Sequence, residues 1–175
     1  LLERGITNFT RNIEDLSIAV NNMLQGKVNE GVSDLFRFTI NSTLGVAGFI
    51  DVSTGLGFEK HDEDFGQTLA VWGFDEGPYI VLPGLGPSTL RDTLAMIPDS
   101  FLTPLWLIDH DRTSYSLTAI DLVDTRARYL GLESVVIGDE YLFYKDAYLQ
   151  SREFEIKDGE IEDDFDEFDE FDDFN

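Results

Sequence analysis

Apolar residues open the chain in helical rhythm. Ile6, Phe9, Ile13, Leu16, Val20 and Leu24 are three or four positions apart, which sets them on one stripe of an α-helix. Gly26 is placed to end that helix in a left-handed turn. Val28, Val32, Leu35, Phe36 and Ile40 repeat the pattern and predict a second helix beside the first. Both stripes read as the core-facing sides of a helical domain. The next run, LGVAGFIDV over 44–52, is apolar with small-residue gaps at Gly45 and Gly48 that would let another element approach closely. It suits a buried helix end and a lipid-facing segment equally. Residues 52–62 read as a loop.

Between Asp64 and Leu94 the pattern gives way to punctuation, with Gly66, Gly73, Gly77, Gly84 and Gly86 alternating with Pro78, Pro83 and Pro87. Glycine permits positive φ and close backbone approach, while proline fixes φ and removes a donor, so the expectation is a rigid, irregular path. Asp64 with Gln67 three residues on predicts the capped start of a short helix, FGQTLAVW, closed by Gly73. YIVL (79–82) is β-prone but bounded by prolines and without an evident partner, which predicts an extended connector. GLGPSTLRD has the look of a phosphate loop at a helix start, yet no Gly-Lys-Ser/Thr follows. Ordinary capping by Thr89 and Asp92 is the favoured reading.

Beyond Pro98, the run DSFLTPLWLID is too short and too proline-broken for a good helix. Its residues Phe101, Leu102, Leu105, Trp106 and Leu107 are either tucked into a core or displayed to a partner or membrane. Leu117, Ile120, Val123, Ala127 and Leu130 predict a third long helix over about 114–130. A last helix is predicted over 139–154, with Tyr141, Tyr144 and Tyr148 on one face. That placement suits a wet boundary, with rings buried and hydroxyls in water.

Charge divides the chain in two. Of its 35 Asp and Glu, 13 fall in residues 153–175 against a single Lys, so this tail is an object apart from a body over 1–152. In the tail Phe165, Phe168, Phe171 and Phe174 recur every third residue among acids, a period that spreads the rings around a helix instead of aligning them. The tail is expected to be disordered alone, either as a solubilising segment or as a docking peptide. The body is itself acidic, with Lys and Arg scattered singly, which argues against a nucleic-acid face. With no cysteine there are no disulfides, thiolate metal sites or cysteine nucleophiles. No stretch approaches the roughly 20 apolar residues of a membrane-spanning helix. The opening LLERGITNF already runs into a helix, as expected of a piece of a longer protein.

Candidate chemistry is sparse. His61, Asp62, Glu63 and Asp64 are adjacent in a loop, where they cannot all converge on one ion, and the other histidine, His110, lies in a separate polar loop. Ser88 lacks the G-x-S-x-G elbow and the alternating strand-helix scaffold of a hydrolase. Asp51 and Asp92 are placed to cap helices or to pair with Arg37 or Arg91. Nucleophile, base and oxyanion donors are nowhere assembled, so the expectation is a protein without catalytic residues, metal or cofactor. A lipid hydrolase using Ser88 is the minor alternative.

Four blocks then carry a likeness: NFTRNIEDLSIAVNNMLQGK (8–27), RFTINSTLGVAGFIDV (37–52), DFGQTLAVWGFDEGPYIVLPGLGPSTLRD (64–92), and TRARYL with YKDAYLQSR. In this order, over most of residues 5–152, they resemble the VacJ (MlaA) family of outer-membrane phospholipid-transport lipoproteins. The resemblance implies an all-α, ring-like domain embedded from the periplasmic side of the outer membrane, with irregular Gly/Pro-rich connectors and a central amphipathic channel. It implies passage of misplaced phospholipid to a soluble periplasmic carrier, association with trimeric porins, and no covalent chemistry. The family's signal, acylated Cys and first helices have no counterpart in this sequence, so it assigns the lipid anchor to no residue.

Carried over position by position, the resemblance marks Asn8, Phe9, Arg37, Asn41, Asp51, Asp64, Gln67, Trp72, Tyr79, Arg91 and Asp92 as the channel or its support. The segment from Pro98 to Ile108 is expected to form a porin-facing or membrane-facing hairpin. The alternative from another class is an interaction protein that recruits partners through the apolar 101–108 segment and the Phe-rich tail.

Overall fold

The computed structural model describes residues 2–103 and 139–160. The helix expected over 114–130, the contact residues Leu105, Trp106 and Leu107, and the Phe repeat of the tail lie outside the described residues.

Helix α1 spans Leu2–Gln25 and α2 spans Val28–Thr43, and the two pack side by side. Gly26, at φ 87°, makes the left-handed turn between them, and the Lys27 N–H closes it on the Asn22 carbonyl at 2.9 Å. The periodicity is as read from the sequence, but α2 faces the other way. Its buried residues are Gly31, Asp34, Arg37 and Asn41, whereas Val28 and Phe36 of the apolar stripe are 57% and 54% exposed. The expectation that this stripe is core-facing is thus corrected. Asp34, Arg37 and Asn41 each find polar partners on α1 or in the loop after α2, so burying them leaves few groups unsatisfied.

The same inversion runs through the described residues. Ile13, Ile18, Ala19 and Ala95 are their buried apolar side chains, against seventeen buried polar or charged ones. A water-soluble domain has the opposite balance. In 44–50, Leu44, Val46, Phe49 and Ile50 are exposed, which selects the outward-facing alternative for that run. Gly48 provides the close approach expected there: a Cβ on it would lie 2.6 Å from Asn12 Nδ2 of α1.

Helix α3, Phe65–Val71, begins as predicted, with the Asp64 carboxylate accepting the Gln67 N–H at 2.9 Å. Gln67 does not return the bond; its Nε2 donates to the Asp62 carbonyl at 3.2 Å. YIVL is no lone connector. It forms β1, Tyr79–Leu82, paired antiparallel with β2, Gly86–Thr89, in the register Tyr79 to Thr89 through Leu82 to Gly86. The partner strand is GPST, whose Gly and Pro disfavour strands, so nothing in its composition announced it.

Thr89 ends the hairpin and caps α4, Leu90–Leu102, by accepting the Asp92 N–H at 3.2 Å. Two further N–H groups at that helix start, those of Leu90 and Arg91, donate to the Pro78 and Glu76 carbonyls. Ordinary capping holds, and these donors do not face outward as a phosphate loop requires.

Contrary to the sequence reading, α4 runs through Pro98 into the expected hairpin, so Phe101 and Leu102 occupy its last turn, Phe101 being 73% exposed. Pro98 gives α4 no N–H at that position, and Asp99, the next residue, ties the helix to the start of α3 by accepting the Phe65 N–H at 3.0 Å. Helix α5 spans Glu140–Ile156, capped by Asp139, and runs past residue 152, where the body was expected to end.

Candidate functional site

Polar side chains form three linked groups inside the helices. The first gathers Arg37, Asn41 and Asp51 around the turn at 51–58. Asn41 accepts the Val52 and Ser53 N–H groups at 2.8 and 2.9 Å while donating to Ser53 Oγ and Asp51 Oδ1. Arg37 donates to the Phe58 carbonyl at 2.6 Å and reaches Asp51 at 3.4 Å and Asp15 at 3.7 Å. Burial would raise the Asp51 pKa, but hydrogen bonds from Thr54 and Ser53 and the Arg37 charge hold it well below the usual carboxylate range. At Asp15 burial wins and raises the pKa, although Lys60 bonds it at 2.7 Å.

The second group ties α5 to the starts of α3 and α4. Arg152 donates to both Asp64 oxygens at 2.6 and 2.8 Å and to both Asp92 oxygens at 3.2 Å. Asp92 also accepts from Thr89 Oγ1, Arg91 Nε and Tyr148 OH. Burial opposes ionisation of Asp92, yet the Arg152 charge and these donors pull its pKa down to about 2. Tyr148 is pushed up by burial and by the Asp92 charge, so its hydroxyl stays protonated and faces a carboxylate, not the water expected of it. Gly66 sits beneath this junction, where a Cβ would lie 2.6 Å from Arg152 Nη2 and collide with Asp92 Oδ1.

The third group lies between α1 and α3. Thr68 Oγ1 donates to Asn21 Oδ1 at 3.0 Å, and Gln25 donates to Glu63 at 2.6 Å and to Thr68 Oγ1 at 3.2 Å. Lys27 pairs with Glu63 at 2.8 Å and with Asp158 beyond the end of α5. Beside this group opens a cavity of about 350 Å³ between α1, the 62–64 loop, α4 and α5, with Gln67 in its wall.

A family model described as MlaA lipoprotein matches residues 1–155. The chain belongs to that family. It is 35% identical over 164 residues to the intermembrane phospholipid transport system lipoprotein MlaA of Escherichia coli strain K12, which covers 90% of this chain and 64% of that protein. The protein of the same name from Haemophilus influenzae is 27% identical over 165 residues, 91% of this chain and 66% of that one. A solved structure described as the structural basis for maintenance of bacterial outer membrane lipid asymmetry shares 32% identity at a TM-score of 0.74, over 87% of this chain and 79% of that chain. The chain thus spans a little under two thirds of the Escherichia coli relative. Its helical architecture is that of this solved structure.

Of the positions marked by the family resemblance, the fold joins Arg37, Asn41 and Asp51 in one group and Asp64, Arg91 and Asp92 in another. Asn8 and Phe9 meet Phe49, Asn8 by donating Nδ2 to the Phe49 carbonyl at 3.1 Å and Phe9 by ring stacking at 5.2 Å. Trp72 stands apart: its Nε1 donates to the Leu24 carbonyl at 3.0 Å, meeting one of the open acceptors at the end of α1. Tyr79 packs its ring edge-on to Tyr141 at 5.6 Å and against Tyr148 at 6.1 Å. Sequence reasoning missed Arg152 as a hub, although Tyr148 and Arg152 are four apart on one helix face within the block YKDAYLQSR. It also missed Asp34, which accepts from Asn22 at 2.9 Å and bonds His61 Nδ1 at 2.9 Å. His61 belongs to this pair, and among the described residues no three carboxylates or imidazoles are grouped as metal ligands.

Proposed function

We propose that this chain is the working part of a non-enzymatic phospholipid-passage protein, seated from the periplasmic side in the Gram-negative outer membrane. Phospholipid misplaced in the outer leaflet passes through an amphipathic channel and is handed to a soluble periplasmic carrier, and a trimeric porin is the membrane partner. The observation that carries this reading is the inverted helix packing. Exposed Val28, Val32 and Phe36 on α2, Leu44, Val46, Phe49 and Ile50 after it, and Leu94, Ile97 and Phe101 on α4 present apolar surface that lipid tails would cover. No helix among the described residues is long and apolar enough to cross a membrane, which suits seating in one leaflet.

The Arg37–Asn41–Asp51 and Asp64–Arg152–Asp92 groups serve as the rigid polar frame that keeps a passage from collapsing, with Asn8, Phe9, Gln67, Trp72, Tyr79 and Arg91 as its lining or support. The hydrolase alternative loses ground at Ser88, which is 1% exposed and bonded to Thr93 Oγ1 at 3.0 Å. Deleting the gene from its host should raise aminophospholipid at the cell surface, read by chemical labelling, and the full-length gene should reverse the change. A surface unchanged by deletion would sink the proposal.

A further inference from the structure

The cavity beside α3 has a chemistry that the passage reading leaves open. Asp62, Glu63, Asp64, Asp99 and Glu155 all line it, and no Lys or Arg among the described residues does. Arg152 binds Asp64 and Glu155 from one side, and Lys27 binds Glu63. Among the described residues, neither Asp99 nor Asp62 forms an ion pair. Burial raises the Asp99 pKa, and neighbouring Asp64 adds to that rise, against hydrogen bonds from the Phe65 N–H and Asn21 and the more distant charge of Arg152. The wall is therefore richer in negative charge than its own cations balance.

A second observation points to a ligand and is independent of that charge. Gln67 is 4% exposed, lines the cavity, and its Oε1 has no hydrogen-bond partner. Its orientation is fixed, because Nε2 donates to the Asp62 carbonyl and a flipped amide would set oxygen against oxygen. A buried acceptor left unmet destabilises the fold unless something donates to it. The open acceptor calls for a hydrogen-bond donor and the carboxylates call for a cation, and among the described residues no three metal-ligating side chains are grouped to take a metal ion instead. A cavity of about 350 Å³ takes such a group and not a pair of acyl chains.

We infer that this cavity is a subsite for a primary ammonium group, that of a zwitterionic phospholipid headgroup, held by the Gln67 amide oxygen with Asp62 and Asp99 beside it. The inference rests on the passage reading and names the headgroup that the passage favours. An ammonium offers three donors on a compact charge, so one can meet Oε1 while the others meet carboxylates. An anionic headgroup would instead enter against the charge of the wall.

The test is titration of the purified full chain in detergent with lysophosphatidylethanolamine, lysophosphatidylglycerol and free phosphoethanolamine, read by calorimetry. The ethanolamine lipid should bind about tenfold more tightly than the glycerol lipid, the size of one charge-assisted contact. Asp62→Lys should erase that preference. It keeps the main-chain carbonyl that Gln67 uses, so an unchanged melting temperature will show an intact fold. Gln67→Met, which removes the acceptor at similar volume, should act in the same direction. If both lipids bind equally and Asp62→Lys alters neither, the headgroup inference is overturned while lipid passage stands. If free phosphoethanolamine binds as tightly as its lipid, the ligand is a soluble amine and the lipid assignment fails. If neither lipid binds, the passage reading itself falls, and this inference with it.

Discussion

A single guanidinium, Arg152, answers carboxylates contributed by two other helices. Asp92 is 6% exposed, so removing this cation leaves a buried charge with Arg91 as its one remaining ion-pair partner, instead of merely losing an attraction. Removing one partner of a buried pair typically costs about 3 to 5 kcal/mol. Arg152→Met, which keeps most of the volume, should lower the unfolding free energy by that amount in a denaturant titration; a change under about 1 kcal/mol would mean that the bridge is incidental. The pH dependence follows from Asp92. Its pKa in the fold is about 2 against an ordinary 3.8, so its contribution is full above pH 4 and is lost as pH falls through 2. The loss amounts to about 2 kcal/mol. Across that window the stability of Asp92→Asn, less stable from the start, should fall less steeply than that of the parent chain.

Helix α2 shows what an element can hide. Its period of apolar residues is a property of the sequence, but which stripe faces inward depends on the medium, and a stripe meant for lipid has the same spacing as one meant for a core. Partner chemistry decides here: Asp34 bonds Asn22 and His61, whereas Phe36 meets the Phe58 ring at 6.2 Å and is otherwise largely exposed. Asp34→Ala should therefore cost about 1 to 3 kcal/mol in detergent, leaving Asn22 unpartnered. Phe36→Asp should stay within about 0.5 kcal/mol of the parent in the same assay and yet weaken association with vesicles, scored by flotation. The reverse ranking would restore the core-facing reading of the stripe.

The other elements were legible to different degrees for equally physical reasons. Helix starts at Asp64 and Thr89 were readable because caps are local, requiring one side chain and an N–H three residues on. β2 was not, because pairing gave strand form to GPST where composition denied it. Nor was the Arg152 hub, whose partners lie 60 and 88 residues away along the chain. α4 passes through Pro98 against the local rule, and beside it Asp99 meets the start of a different helix, a contact the sequence did not announce.

At the scale of the whole molecule, α5 works as a clasp. Arg152 joins it to the starts of α3 and α4, while Lys27, at the turn between α1 and α2, pairs with Glu63 and, past the end of α5, with Asp158. The charge pattern alone suggested a boundary after residue 152, but α5 continues to Ile156 and its contacts reach Asp158. Truncation can locate the functional edge of the fold. A chain ending at residue 160 keeps both ties and should melt within about 2 °C of the full chain, because it removes no described contact. Ending at residue 152 retains Arg152 but cuts the last turn and the Asp158 pair, which is half-exposed and worth about 0 to 1 kcal/mol. That chain should melt a few degrees lower and still bind lipid. Ending at residue 151 adds the loss of one residue, Arg152, which leaves buried Asp92 to Arg91 alone and frees half-exposed Asp64. A sharp drop in melting temperature between the last two, set against a shallow one between the first two, would place the closing of the fold at Arg152. An even decline across the three would assign stability to the length of α5 instead of to its clasp.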